Sequence, residues 1–404
     1  MSQEPVSSKQ LQPHAGISDQ AQESSEIETK LHPAGRGEAT RRAFPQGRLS
    51  SLDALRGFDL FWIIGGTAIL MGLGNVIQRP FFFTFLGQFH HSVWQGLHLY
   101  DLIWPLFFFI MGVAIPLSIA SRRAKGATDR SLLLHAIRRA LILFFLGTIT
   151  QGNLLLFDLS KFHPCYSVLH GLAAGYLIAV VVALKVKPSR HMAVIASFLL
   201  AYWALVMLIP VPGYGAGVLT PEGNAATYID HLVLGRFEFG ANTWFLSYLG
   251  FASSVLLGVL AGQLLMSNLV PEKKLLRLLT MGVVSLAVGL LWSLWFPVIK
   301  LMWTGSYVLI SGGISFVVMA LFYWIIDVRG YRKWSFPFVV IGMNSLAVYF
   351  ATEVFDFRLV GNVFVGHLLP RLAQWGPLVE ASAAFAVVWL ILYWMYRKRE
   401  FVRI

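Results

Sequence analysis

His91, Trp94 and Asp101 are the residues in this chain whose types and spacing most directly suggest chemistry. A histidine three residues before a tryptophan, and shortly before Tyr100 and Asp101 at the start of an apolar run, can hold a proton near neutral pH, as a general base must. The alternative is a solvated loop histidine. Asp101 is followed by Pro105, which distorts a helix. A carboxylate beside a histidine fixes its tautomer and raises its basicity, and helix capping is the competing use for the same side chain.

Two further polar groups fall near membrane-length apolar segments. Lys300, Trp303, Ser306 and Tyr307 crowd the start of one such segment; Asn344 and Ser345 lie in the middle of another, which Glu353 ends. Mid-membrane Asn and Ser commonly join helices by hydrogen bonds, whereas ionisable residues at membrane depth are costly and suggest function. Asp53 and Arg56, three apart, share a helix face within ion-pair reach. They read either as a helix-start acid with a charged anchor or as a site near a polyanionic cofactor. No Walker loop, HExxH motif or GxSxG elbow occurs in a supporting context, and no metal is expected.

The elements that position these groups follow from composition. Of 404 residues, 56% are hydrophobic and 13% charged, and the mean hydropathy of +0.65 is that of a chain solvated by lipid. The predicted fold is an all-α polytopic membrane protein, one bundle of about ten transmembrane helices. Windows of suitable length run roughly 55–75, 99–121, 140–157, 167–186, 191–210, 245–267, 277–297, 306–326, 335–352 and 377–396. Basic residues partition between alternate loops: Arg56, the cluster Arg122 to Arg139, Lys185 to Arg190, Lys273 to Arg277, Arg329 to Lys333 and Arg397 to Arg403 share one side. The positive-inside rule makes that side, with both chain ends, cytoplasmic. The net charge of +12 is therefore a topology signal, and no nucleic-acid partner is expected. Residues 1–47 carry no apolar run and read as a disordered cytoplasmic tail before a membrane domain at 48–404. The single cysteine, Cys165, excludes an intrachain disulfide and reads as packing.

Five ordered blocks carry a family resemblance: SLDALRGFD (51–59), HxxWxGLxxxDLxxPxFxFIMG (91–112), YIDHLVLG (228–235), KxxWxxSYV (300–308) and GMNSLAVYFATEVF (342–355). Over 48–404 the chain resembles the heparan-α-glucosaminide N-acetyltransferase family, in particular its bacterial branch. The resemblance implies transfer of acetyl from cytoplasmic acetyl-CoA to an amino sugar across a bacterial inner membrane. It makes His91 the catalytic histidine and Asp101 its neighbouring acid, with Trp94, Lys300, Tyr307, Asn344, Ser345 and Glu353 as substrate or acyl-site candidates. Phosphates of the co-substrate would pair with Arg56, Arg138, Arg139 and Arg332. The competing functions are a transporter of amino sugars and an O-acetyltransferase of envelope polysaccharide. The lipid bilayer and the acceptor are the expected partners, and a homodimer is admitted. The chain departs from the family pattern at Thr67, at Val168 to Gly171 and at Thr352.

Overall fold

The computed structural model describes residues 49–238, 240 and 242–402; the tail expected at 1–47 lies outside them. Among the described residues the only strand-like pairings are two isolated bridges, Gln95 with Ile299 and Val211 with Gly215. The rest is helix and connection. Among the described residues nine helices are long and apolar enough to cross a bilayer: α1 (Ser50–Ile77), α3 (Leu99–Arg123), α4 (Asp129–Thr150), α5 (Val168–Lys185), α6 (Pro188–Leu208), α8 (Ser247–Met266), α9 (Pro271–Trp292), α10 (Gly305–Val328) and α14 (Ala373–Lys398). Two short helices, α2 (Pro80–Gly87) and α7 (Ala225–Leu234), lie in connections. The ninth sequence window is a broken pair, α11 (Phe336–Met343) and α12 (Ser345–Val354), bent by 75°. A further helix, α13 (Phe357–Val365), precedes α14. The protein is an all-α polytopic membrane protein.

The largest departure from the hydropathy windows is at the third span. The third span runs 129–150 rather than 140–157, because Thr128 caps it by accepting a hydrogen bond from Ser131 N and Asp129 sits in its first turn. Arg138 and Arg139 therefore belong to the helix itself. Arginine is a good helix former whose long stem reaches toward water, so charge lowers the hydropathy of this stretch without ending the helix.

Close backbone approaches set the packing. An added Cβ at Gly112 would clash with Val255 O, and one at Gly258 with Phe109 O, so α3 and α8 cross in backbone contact. Gly57 and Gly342 do the same for α1 and α11. Gly72 packs on Leu378 and Gly65 on Phe385, so α1 and α14 run antiparallel. The start of the first span and the end of the last therefore lie at one end of the bundle, as an even number of crossings requires.

The level of α3 matters most for the site. Its residue Tyr100 lies beside Thr67, just past the π-helical turn Trp62–Gly66 of α1. The end of α1 is ten residues further on, about 15 Å at helical rise. The first residues of α3 are thus recessed below the rim formed by α1.

Candidate active site

The loop before α3 is shaped by backbone donors converging on one carboxylate. Ser92 N and His98 N donate to Asp101 Oδ2 at 3.1 and 3.0 Å, and Tyr100 N donates to Gln88 O at 3.0 Å. Asp101 thus caps the turn that opens α3, and its other oxygen remains for His91. A second loop is zipped to the first: Gln95 bridges Ile299, and Gly96 N donates to Val298 O at 2.9 Å. Gly96 sits at φ 118°, where a side chain would be strained. The turn that follows is held by Trp303 N to Lys300 O (2.9 Å), Thr304 N to Ile299 O (3.2 Å) and the Trp303 indole to Ser254 Oγ (3.0 Å). Trp303 itself is left-handed, at φ 54°, a conformation the surrounding bonds enforce.

The zip delivers Lys300 to a histidine 209 residues away in the chain. His91 Nδ1 lies 2.8 Å from Asp101 Oδ1 and 2.7 Å from Lys300 Nζ, and Lys300 Nζ is 3.2 Å from Asp101 Oδ1. The Lys300 ammonium also sits over the Trp104 ring, 4.9 Å from its centre. Tyr307 donates its hydroxyl to Asp101 O at 2.6 Å, fixing α10 against the start of α3. The Asp101 and Lys300 side chains are 0% and 5% exposed, against 48% for His91. The acid and the lysine are therefore framework, and the imidazole is the member a substrate can reach. Burial pushes the Lys300 ammonium below its ordinary range, while Asp101 opposes that shift.

Asp101 addresses only Nδ1 of the imidazole, and Lys300 Nζ lies 2.7 Å from Nδ1 and 3.4 Å from Nε2, so Nε2 is the nitrogen that Asp101 does not hold. An imidazole oriented through one nitrogen presents the other as a base or nucleophile. A lysine beside it can answer negative charge that develops on a reacting carbonyl oxygen.

The other candidates fall in separate surroundings. Trp94 donates its indole N–H to Leu219 O at 2.8 Å and packs on the cluster around Tyr202, Phe296 and Ile299, anchoring the histidine loop to the segment before α7. Glu353 accepts from Gln151 Nε2 at 3.1 Å, is hydrogen-bonded to Tyr349, and lines a cavity of about 510 Å³ with Asp356 and Arg358. Asn344 forms the break between α11 and α12; its amide donates to Glu400 O at 3.2 Å and accepts from Val402 N at 3.0 Å. It is thereby engaged with the chain that follows α14, and Ser345 opens α12 beside it. Neither residue is joined by a hydrogen bond to the His91 cluster. Arg56 pairs with Asp53 at 3.3 Å, Arg332 donates to Ile326 O at 3.4 Å, Arg139 lies over the Tyr176 ring at 4.8 Å, and Arg138 is exposed on α4.

Two residues at the site were given no role by motif reasoning. Tyr100 stacks its ring 4.8 Å from that of His91, and Trp104 carries Lys300. Both stand in the quoted block or next to it, but aromatic residues are too common in membrane helices to draw notice. Asp230 of the YIDHLVLG block is also structural: it accepts Trp244 N at 2.6 Å and Phe245 N at 3.0 Å, setting the entry to α8.

A family profile described as a domain of unknown function (DUF5009) matches residues 48–158. Along most of its length the chain is similar to two curated proteins named heparan-alpha-glucosaminide N-acetyltransferase. The human one is 30% identical over 414 residues, covering 88% of this chain and 60% of the human protein. The mouse one is 28% identical over 417 residues, covering 89% and 62%. The chain thus spans about three fifths of the length of these relatives.

Proposed function

On its similarity to the heparan-alpha-glucosaminide N-acetyltransferases, we propose that the chain belongs to their family and is a transmembrane acetyltransferase. It moves acetyl from acetyl-CoA on the cytoplasmic side to the amine of an amino sugar on the other side of a bacterial inner membrane. The observation that carries this reading is the Asp101–His91–Lys300 cluster, two buried charges around one reachable imidazole.

An amine attacks a thioester only after losing its proton. In the proposed step His91 Nε2 takes that proton, the amine nitrogen bonds the thioester carbonyl carbon, and the carbon–sulfur bond breaks. CoA leaves as thiolate and is protonated. The buried charge of Lys300 favours the carbonyl oxygen while it is negative, acting from behind the imidazole, and Asp101 stabilises the imidazolium through Nδ1. Cytoplasmic cations, with Arg56, Arg138, Arg139 and Arg332 as candidates, neutralise the phosphates of the co-substrate.

The test is mass-spectrometric detection of acetylated sugar after the purified protein meets acetyl-CoA and a panel of amino sugars. Product formed by wild type and lost in His91→Ala supports the reading. A wild-type protein that binds amino sugars, never acetylates them and carries them into proteoliposomes would make it a transporter.

The orientation is tested with single cysteines in a Cys165→Ser background. An impermeant thiol reagent added from outside should label position 214 and spare position 125; labelling at 125 would invert the topology.

A further inference from the structure

Asp59 closes the SLDALRGFD block, and the acetyl-transfer cluster does not use it. It is 1% exposed, and neither carboxylate oxygen has a hydrogen-bond partner among the described residues. It lies in the wall of a cavity of about 190 Å³ whose other walls include Trp62, Phe89, Tyr100, Ile314 and Ser315. Ser315 spends its hydroxyl hydrogen on Ser311 O at 2.7 Å. Asp59 and Ser315 therefore offer the cavity acceptors. A buried polar group left unanswered is destabilising, and an occupant that brings a donor on a mostly apolar body would answer it.

Size and place narrow the occupant. At roughly 30 Å³ per water-sized group the cavity holds about six non-hydrogen atoms, too few for a whole hexosamine. Along α1, Asp59 lies about 14 Å above Ser50 and about 12 Å below Thr67 at helical rise. Tyr100, at the upper end of the cavity, stacks on His91. The cavity therefore occupies the stretch between the end of the bundle that carries Ser50 and the reactive imidazole.

We propose that this cavity holds a short segment of a longer narrow chain, one amide with its flanking methylenes, and that Asp59 receives the amide N–H. Two sources share this chemistry: the amide-bearing arm of the thioester co-substrate, and an amide amphiphile drawn from the bilayer. The position between the two ends of the transfer path favours the arm, and this choice rests on the donor assigned under Proposed function.

The test uses the full chain in lipid nanodiscs, without acceptor, and measures equilibrium binding of S-acetylpantetheine and of N-decylacetamide. Asp59→Leu should weaken S-acetylpantetheine by about 10- to 100-fold, the scale of one lost buried hydrogen bond, and raise the KM for acetyl-CoA. Asp59→Asn, which keeps an acceptor oxygen, should restore most of that binding. Melting temperature serves as the folding control, because exchanging an unpartnered acid for leucine should raise it. Unchanged S-acetylpantetheine binding and unchanged KM in Asp59→Leu would overturn the assignment while leaving acetyl transfer standing. Weakening confined to N-decylacetamide would overturn the arm in favour of a bilayer amphiphile. A wild-type protein that neither binds nor turns over acetyl-CoA would overturn the underlying reading, and this inference with it.

Discussion

Asp101 and Asp59 are the same side chain at nearly the same burial, 0% and 1% exposed, and the protein treats them in opposite ways. Asp101 accepts two backbone N–H groups and faces both His91 and Lys300. Its charge is compensated by groups that the fold itself holds in place. Asp59 has no such company among the described residues. A buried acid is thus not a role in itself: one is a fixed member of a preorganised cluster, and the other has all of its bonding capacity left to offer.

The largest expected effect lies on the Asp101 side. His91→Ala should lower turnover by roughly two to four orders of magnitude while CoA binding is retained, as read by single-turnover kinetics and calorimetry. His90→Ala and His98→Ala are the controls, since only the backbone N–H of His98 serves Asp101. Near-normal acetylation by His91→Ala would remove the cluster from the mechanism.

Next comes a difference in sign between the two acids. Asp101→Ala leaves Lys300 buried beside no carboxylate and should destabilise by about 3–5 kcal/mol, the cost of breaking one side of a buried pair. Asp59→Leu should stabilise. Chemical or thermal melts of the two variants in the same detergent would decide it, and two shifts of like sign would erase the contrast drawn here.

The smallest effect is a third buried acid, intermediate between these two. Burial raises Asp230 to about 6, against two backbone hydrogen bonds that pull it down. A carboxyl raised above its ordinary value of 3.8 contributes its stability below that value, and the contribution fades as pH rises through about 6. The loss is about 3 kcal/mol for a shift of this size. The melting temperature of the wild type should fall by a few degrees across that window relative to Asp230→Asn, which stays neutral throughout. Parallel pH profiles for the two proteins would show that Asp230 keeps its charge without cost.

Much of the architecture was legible because a bilayer is read nearly residue by residue. Apolar stretches of sufficient length announce spans wherever they fall, and nine of the ten windows correspond to membrane-length helices. The exceptions have local causes. Charge within α4 shifted the third window toward its apolar end, although Thr128 starts the helix earlier. Hydropathy carries no information on direction, so the 75° break at Asn344 left no trace in the ninth window. His91 and Asp101 were readable together, being ten residues apart in one loop and helix start. Lys300 appeared only as one polar residue in a distant cluster.

The sequence by itself determined that this chain lives in lipid, roughly where it crosses, which ends of its helices share a side, and which histidine to watch. Those properties are sums over neighbouring residues: hydropathy over a span, charge over a loop, spacing within a motif. Only the tertiary structure decided which acid is compensated and which is not, because compensation depends on groups brought together across the fold. Lys300 reaches His91 through the pairing of Gln95 with Ile299, and nothing in the neighbourhood of either loop encodes that meeting. Asp59 is separated from its cavity neighbours Ile314 and Ser315 by most of the chain, and its unanswered oxygens appear only once those helices are packed around it.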